Sequence, residues 1–197
     1  MRRIFLIICI LCNCYNKTNS QIQLGLKDTK YIYINYTLND FYDFKIEQSL
    51  YNSEFEYQYA RGYLGIHNDL NRFFFKLDCY FGSAYNRTYQ NFGIIVFADY
   101  KLKKWLKLNF AFNPHYDTYF RLYLCTKTGF ECCISKDINF IAYYSSIPEY
   151  RQPEHRFKTG INFHLDNRLW VEPIFSIPIT KPIKNYRILV GFGYTFY

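Results

Sequence analysis

Residues 187–197 read RILVGFGYTFY, and polarity alternates along this stretch at every second position. One set of positions is apolar: Ile188, Val190, Phe192, Tyr194 and Phe196. The other set is mostly small or polar, with Leu189 as the exception: Arg187, Gly191, Gly193 and Thr195. Successive side chains of a β-strand point to opposite faces, so this period of two predicts a strand with one apolar face.

The same alternation recurs along the chain, as in residues 73–85, 105–117 and 155–165, and none of these apolar faces carries a charge. Turn-forming residues between such segments divide the chain into twelve predicted strands: 21–27, 30–38, 41–52, 55–66, 73–85, 90–103, 105–117, 120–134, 138–151, 155–165, 169–180 and 187–197. Ten strands are the alternative, because the first segment is short. At Arg61-Gly62-Tyr63 the alternation breaks, which predicts a β-bulge.

The side of each strand that meets hydrocarbon follows from the cost of burying charge. A lipid-facing Arg or Lys near the bilayer midplane costs about 2–4 kcal/mol, so Arg156 and Lys158 should face a lumen while the rings beside them face lipid. Eleven residues at about 3.3 Å each, tilted by about 45°, cover about 25 Å, the height of the apolar band of a membrane barrel. The sequence therefore predicts an all-β fold, a closed antiparallel transmembrane up-and-down barrel. A soluble lipocalin-like binding barrel, with the two faces exchanged, is the alternative.

Composition agrees with this prediction. Aromatic residues make up 22% of the chain, with 22 Tyr and 20 Phe, while the mean hydropathy is slightly negative at −0.24. Apolar side chains are therefore abundant but interspersed with polar ones, as in strands with one apolar and one wet face.

The first twenty residues differ from the rest. Arg2 and Arg3 precede a nine-residue apolar run over residues 4–12, and a polar stretch leads to a cleavage point before Gln21. This arrangement predicts a secretory signal peptide at 1–20, too short to span a bilayer as a helix, followed by the barrel at 21–197. Lipidation at Cys14 is a further possibility at this end of the chain. The predicted destination is the cell outer membrane.

Charge and cysteine content exclude several classes of protein. Loss of residues 1–20 would lower the formal charge from +8 to +5, and the remaining charges are scattered, which argues against a nucleic-acid partner. Four cysteines would remain, and their spacing predicts free thiols or at most one cross-strand bridge: Cys79, Cys125, Cys132 and Cys133. No spacing typical of a metal site or a cofactor motif is present, so we expect neither metal nor cofactor.

The terminal aromatic strand, the predicted signal peptide and the regular hairpins together resemble outer-membrane β-barrel proteins. The Tyr- and Asn-rich style is similar to that of small uncharacterised barrels of the Bacteroidota. In that family the last strand is recognised by the barrel-assembly machinery, and the resemblance implies this role for Phe192, Tyr194, Phe196 and Tyr197. One departure is that the alternation makes Phe196, rather than Tyr197, the last lipid-facing ring.

Candidate site residues come from strands predicted to reach the outer rim when both termini are periplasmic. By alternation His115, Asp117, Arg121, Glu149 and Arg151 face the lumen near that rim. Such a group of ionisable side chains could bind a small polar ligand or form a constriction. The alternative interpretation, which we favour, is a salt-bridged lining that closes a narrow lumen.

Catalysis is not expected, although His164, Asn162 and Ser176 share the inward face of neighbouring strands. No nucleophile motif surrounds any serine, so a lipid-modifying barrel enzyme is the weaker hypothesis. Four lysines crowd one predicted periplasmic turn: Lys101, Lys103, Lys104 and Lys107. We favour a solvated turn, and a contact for anionic lipid headgroups or peptidoglycan-associated partners is the alternative.

The sequence thus predicts an integral outer-membrane barrel with tight loops at both ends. Its function is predicted to be that of a narrow channel, or of a structural envelope barrel, with a charged lumen. A non-catalytic subunit of a larger outer-membrane complex, in contact with lipid and with an envelope protein partner through its outer wall, is the alternative.

Overall fold

The computed structural model describes residues 20–28, 31–38, 41–49, 59–84, 90–118, 121–146, 155–179 and 186–197. The predicted signal peptide lies outside these residues, apart from Ser20, which is the first residue of the first strand.

Twelve strands form one closed antiparallel barrel: β1 (Ser20–Lys27), β2 (Tyr31–Leu38), β3 (Tyr42–Ser49), β4 (Tyr59–Leu70), β5 (Phe73–Ala84), β6 (Gln90–Lys103), β7 (Leu106–Asp117), β8 (Arg121–Ser135), β9 (Ile138–Ser145), β10 (Arg156–His164), β11 (Leu169–Pro178) and β12 (Arg187–Phe196). Each strand pairs with its neighbours in the chain, and β1 closes the barrel by pairing with β12. The predicted fold class is confirmed. The ten-strand alternative is wrong, because the short first segment is a full member of the sheet with partners on both sides.

The two faces of the sheet have the predicted character. On β10, Lys158 is only 6% exposed and Arg156 only 2%, whereas Phe157 between them is 43% exposed. The same contrast holds on other strands, where Phe110 and Phe192 are 47% and 46% exposed. Rings therefore cover the outer wall and ionisable groups are enclosed, which is the opposite of the arrangement in a soluble lipocalin-like barrel.

Inward-facing glycines make room for large rings in the interior. Four of these inward-facing glycines lie directly opposite an aromatic residue on the neighbouring strand, in the pairs Gly25–Tyr33, Gly93–Tyr80, Gly129–Tyr143 and Gly193–Trp170. At Gly193 an added Cβ would lie 2.7 Å from Trp170 Nε1, so any side chain there would displace the indole. The rings fold over the glycines and fill the space left by the missing side chains.

The two ends of the barrel differ. At the end that holds the start of β1 and the end of β12, three hairpins turn in two residues each, at 71–72, 104–105 and 136–137. Asn71 supplies a positive φ of 55° in the first of these turns. At the other end three gaps between successive strands span eight to ten residues, most of which lie outside the described residues, so tight loops there stay a prediction. We call the two ends the short-turn end and the long-loop end.

The predicted bulge at Arg61-Gly62-Tyr63 is wrong, because the register of β4 is continuous with both neighbours there. Arg61 and Tyr63 face inward and Gly62 faces outward. The backbone alternation is therefore regular, and only the polarity of the residues departs from the pattern. Register shifts occur instead between Lys101 and Lys103 and between Cys133 and Ser135.

Strand β4 extends beyond its predicted end at residue 66, so His67 lies on it, with Nδ1 2.9 Å from Asp43 Oδ2. The predicted start of this strand at 55–58 lies outside the described residues.

All four cysteines of the barrel are free thiols. In the part of the chain that the structure describes, no helix has the length and apolar character needed to cross a bilayer. Among those same residues, no group of three or more potential metal-ligating side chains lies together.

Candidate functional site

The candidate site is the barrel interior, where alternation on every strand places ionisable side chains. Several of them are buried against one another and against the walls: Asp43, Glu47, Asp78, Asp117, Arg156 and Lys158. Buried charges persist in proteins only when partners compensate them, so their contacts determine what the lumen can bind.

A cavity of about 150 Å³ lies toward the long-loop end, and we call it the upper cavity. Six cationic side chains line it: Lys27, Lys45, Arg61, Lys127, Arg156 and Lys158. Among the described residues, three carboxylates accompany them, from Asp28, Glu47 and Asp78. The lining therefore has a formal excess of three positive charges.

Glu47 is the most heavily coordinated carboxylate of the upper cavity. Its oxygens accept hydrogen bonds from Lys45 Nζ at 2.8 Å and from the Tyr63 hydroxyl at 2.6 Å, and Lys27 Nζ lies 3.6 Å away. Strands β1, β3 and β4 supply these groups. In the register of the sheet, Glu47 lies between Tyr33 of β2 and Arg61 of β4. One carboxylate thus offsets part of the charge of two lysines.

Cations on the other walls are held by weaker or neutral partners. Lys158 Nζ reaches Asp28 Oδ2 at 3.4 Å across the lumen. Arg156 donates from Nε to Ser176 Oγ at 2.7 Å and from Nη2 to the Ser176 carbonyl at 2.9 Å. Arg61 donates to the Tyr63 hydroxyl at 3.0 Å and its guanidinium carbon lies 4.7 Å from the centroid of the Tyr80 ring. The hydroxyls, carbonyl and ring face that contact Arg61 and Arg156 here are neutral groups, and they orient the two guanidinium side chains.

The upper cavity borders the next cavity at three residues that line both: Phe97, Lys127 and Tyr143. We call this level the waist. Lys127 Nζ lies 4.0 Å from the centroid of the Tyr143 ring. No carboxylate of a described residue lies within 4.0 Å of Lys127, so its charge is uncompensated by an ion pair within that part of the chain.

A second cavity of about 210 Å³ lies toward the short-turn end, and we call it the lower cavity. Three carboxylates line it, from Asp99, Glu131 and Glu172. Lys107 Nζ lies 2.5 Å from Glu131 and 3.7 Å from Asp99, and Asn162 donates to Glu172 at 3.0 Å. The sign of the lining charge thus changes along the lumen axis at the waist.

The residues that sequence reasoning proposed as a site lie elsewhere. His115 and Asp117 do come together, with Nε2 and Oδ2 3.6 Å apart, but both are fully buried and neither lines the two cavities. His115 instead stacks on Tyr80 and contacts its hydroxyl. Arg121 lies opposite Asp117 in register. Glu149 and Arg151 lie outside the described residues.

The sequence predicted the inward orientation of some lining residues, although it did not identify them as a site. Alternation already placed Arg156 and Lys158 inward, but it assigns a face and not a height along the barrel. The level at which Lys27, Lys127 and Lys158 meet depends on the stagger of strands that are far apart in sequence.

The three polar residues considered for catalysis are not brought together. Ser176 is paired with Lys158, whereas His164 is paired with Trp170, six residues further along β11. Six residues of strand span about 20 Å, so the hydroxyl and the imidazole are far beyond hydrogen-bond reach.

The terminal strand presents its rings to the outside. Phe192, Phe196 and Tyr197 are 45–58% exposed, and the rings of Tyr194 and Phe196 meet edge to face at 4.8 Å. Their recognition by an assembly machinery stays a prediction.

The closed twelve-stranded antiparallel barrel, with apolar outer wall and polar interior, is a fold found among porins of known structure. The KdgM porin, solved in complex with disordered oligogalacturonate, is similar with a TM-score of 0.67 at 10% identity, over 90% of this chain and 99% of KdgM. The NanC porin is similar with a TM-score of 0.55 at 8% identity, over 89% of this chain and 97% of NanC. No protein-family model and no curated protein sequence matches the chain. At such low identity the likeness concerns the fold, and the Bacteroidota type stays a prediction.

Proposed function

We propose that this protein is an integral outer-membrane channel that conducts small anionic solutes. A membrane location is supported by the exposed rings of the outer wall, because in water they would form an extensive apolar surface. The porin fold supports a channel, and the charges of the lining select the sign of the solute.

The observation that carries the proposal is the cationic upper cavity with Lys127 at its lower end. Six cationic side chains and three carboxylates line this cavity. The ammonium group of Lys127 lies over the Tyr143 ring and is not paired with a described carboxylate. Positive lining in a narrow, low-dielectric passage raises the local concentration of anions and repels cations. The ligand named for the KdgM structure, oligogalacturonate, is also an anion, which agrees in sign.

The orientation we propose places the long-loop end outside the cell and the short-turn end in the periplasm. A solute arriving from outside then meets the cationic upper cavity first and the acidic lower cavity second. In the lower cavity Lys107 holds two of the three carboxylates, so the acidic level is partly neutralised and does not reverse the selectivity.

The test is ion selectivity of the purified barrel in planar bilayers under a potassium chloride gradient. The wild-type reversal potential is expected to show preference for chloride. The variant Lys127→Glu should shift the reversal potential toward cation selectivity, because it reverses the charge at the waist. Lys136→Glu is the matched control, since this exposed lysine lies in the β8–β9 turn away from the lumen. A cation-selective wild type, or equal shifts in both variants, would contradict the proposal.

A closed structural barrel is the second candidate, and the small volumes of the upper and lower cavities favour it. A barrel of this kind would be silent in bilayers in every variant while still folding. A barrel without conductance could also be a subunit of a larger envelope complex that contacts its partner through the outer wall. Co-purification in mild detergent would identify such a partner.

A further inference from the structure

The hairpin between β6 and β7 forms a further pocket, which shares Glu131 with the lower cavity. Strand β6 ends at Lys103, Lys104 and Trp105 form the turn, and β7 begins at Leu106. The pocket has a volume of about 500 Å³ at the short-turn end. Five cationic side chains and one carboxylate, Glu131, are among its lining: Arg72, Lys101, Lys103, Lys104 and Lys107.

Within the described part of the barrel, two of these cations have an acidic partner and three have none within 4.0 Å. Lys107 pairs with Glu131, and Lys101 Nζ lies 3.6 Å from Asp69 Oδ2. No carboxylate within the described part of the barrel lies within 4.0 Å of the remaining three: Arg72, Lys103 and Lys104. Cations gathered around one pocket repel one another, and an anion bound among them would relieve that repulsion.

The same hairpin carries two exposed apolar side chains beside the cations. Leu102 is 45% exposed and Trp105 is 50% exposed, and Lys103 Nζ lies 5.6 Å from the centroid of the Trp105 ring. The register shift between Lys101 and Lys103 lies at this level. Trp and aliphatic residues next to basic residues are typical of a wall at the boundary between headgroups and hydrocarbon.

From these observations we infer that the β6–β7 hairpin pocket binds the phosphate of an anionic glycerophospholipid, with the acyl chains beside Leu102 and Trp105. A small soluble anion would satisfy the cations but leaves the apolar flank unexplained. The inference rests on the proposed membrane location and not on conduction.

The test is native mass spectrometry of the full barrel in mild detergent with phosphatidylglycerol or phosphatidylcholine added at equal concentration. The wild type should retain phosphatidylglycerol in preference. The variant R72Q/K103Q/K104Q should lose at least tenfold of that affinity, while K136Q, which removes an exposed charge from another turn at the same end, should retain it. The variant K103R/K104R keeps the charge and should bind like the wild type, which separates loss of the site from loss of folding.

Equal retention of the two lipids by the wild type would overturn the inference, and so would an equal loss in K136Q. Displacement of phosphatidylglycerol by glycerol 3-phosphate at equal concentration would also overturn it, because a soluble anion would then suffice. Bilayer selectivity separates the two proposals: if Lys127→Glu still shifts the reversal potential while lipid retention shows no preference, only the lipid site fails.

Discussion

A single carboxylate shows why the barrel tolerates charge in its interior. Glu47 is 4% exposed, and two cations and one phenol surround it. Hydrogen bonds to a buried charged group contribute about 1.5–3 kcal/mol each, more than neutral ones, because the alternative is an unsatisfied charge. Buried Arg156 is stabilised in the same way, by the hydrogen bonds that it donates to the hydroxyl and carbonyl of Ser176.

Replacing Glu47 by Gln should therefore lower the free energy of unfolding by about 2 kcal/mol, because Lys45 would lose a charged acceptor. The measurement is urea unfolding in lipid vesicles, followed by loss of heat-modifiable migration on gels. Asp69→Asn is the matched control: its carboxylate is 58% exposed and its ion pair with Lys101 should contribute little. Equal losses of unfolding free energy in the two variants would show that the contribution of Glu47 to stability does not depend on its burial.

At the residue scale, sequence reasoning could assign faces but not partners. It placed Lys158 inward correctly, yet it grouped His115 with residues near the rim, whereas His115 packs against Tyr80 of β5 in the wall. That contact joins strands that are not adjacent, and only the completed barrel brings them together.

At the scale of elements, aromatic rings pack over glycines of the neighbouring strand. Such contacts link β1, β2, β11 and β12 where the barrel closes. Tyr33 lies over Gly25, and Trp170 lies over Gly193, which is itself paired with Gly25. Both side chains thus reach Gly193, where the first and last strands pair.

The variant Gly193→Ala should destabilise the barrel by about 1–3 kcal/mol, the range for overpacking a filled interior. Its Cβ would lie 2.7 Å from Trp170 Nε1 and 2.8 Å from the Tyr33 hydroxyl. Gly62→Ala is the control, because a Cβ at this outward-facing position meets nothing within 4 Å. Urea unfolding in vesicles compares the two, and a loss in Gly62→Ala as large as that in Gly193→Ala would refute the steric explanation.

Some elements could be predicted closely and others could not. β12 and β10 alternate cleanly, and their observed bounds differ from the predicted ones by only one residue at each altered end. The bulge predicted on β4 was wrong because Tyr63 counts as apolar in the alternation, whereas its hydroxyl donates to Glu47 in the lumen. Tyrosine is apolar along its ring and polar at its tip, so polarity alone cannot assign its face.

For the whole molecule, the even strand number and the sidedness followed from sequence, but the charge distribution along the axis did not. The cationic upper cavity and the acidic lower cavity arise from side chains on nearly every strand, staggered by the tilt of the sheet. The cavities, and with them the proposed selectivity, are therefore properties of the closed barrel.

The central claim is that rings meet hydrocarbon while charges face the lumen. A nitroxide scan of residues 157–163 on β10 in lipid vesicles, with the four cysteines of the barrel strands replaced, tests it most directly. Accessibility to lipid-soluble oxygen should peak at Phe157, Thr159, Ile161 and Phe163 and fall at the positions between them. Peaks at Lys158, Gly160 and Asn162 instead, or no period of two, would contradict the account.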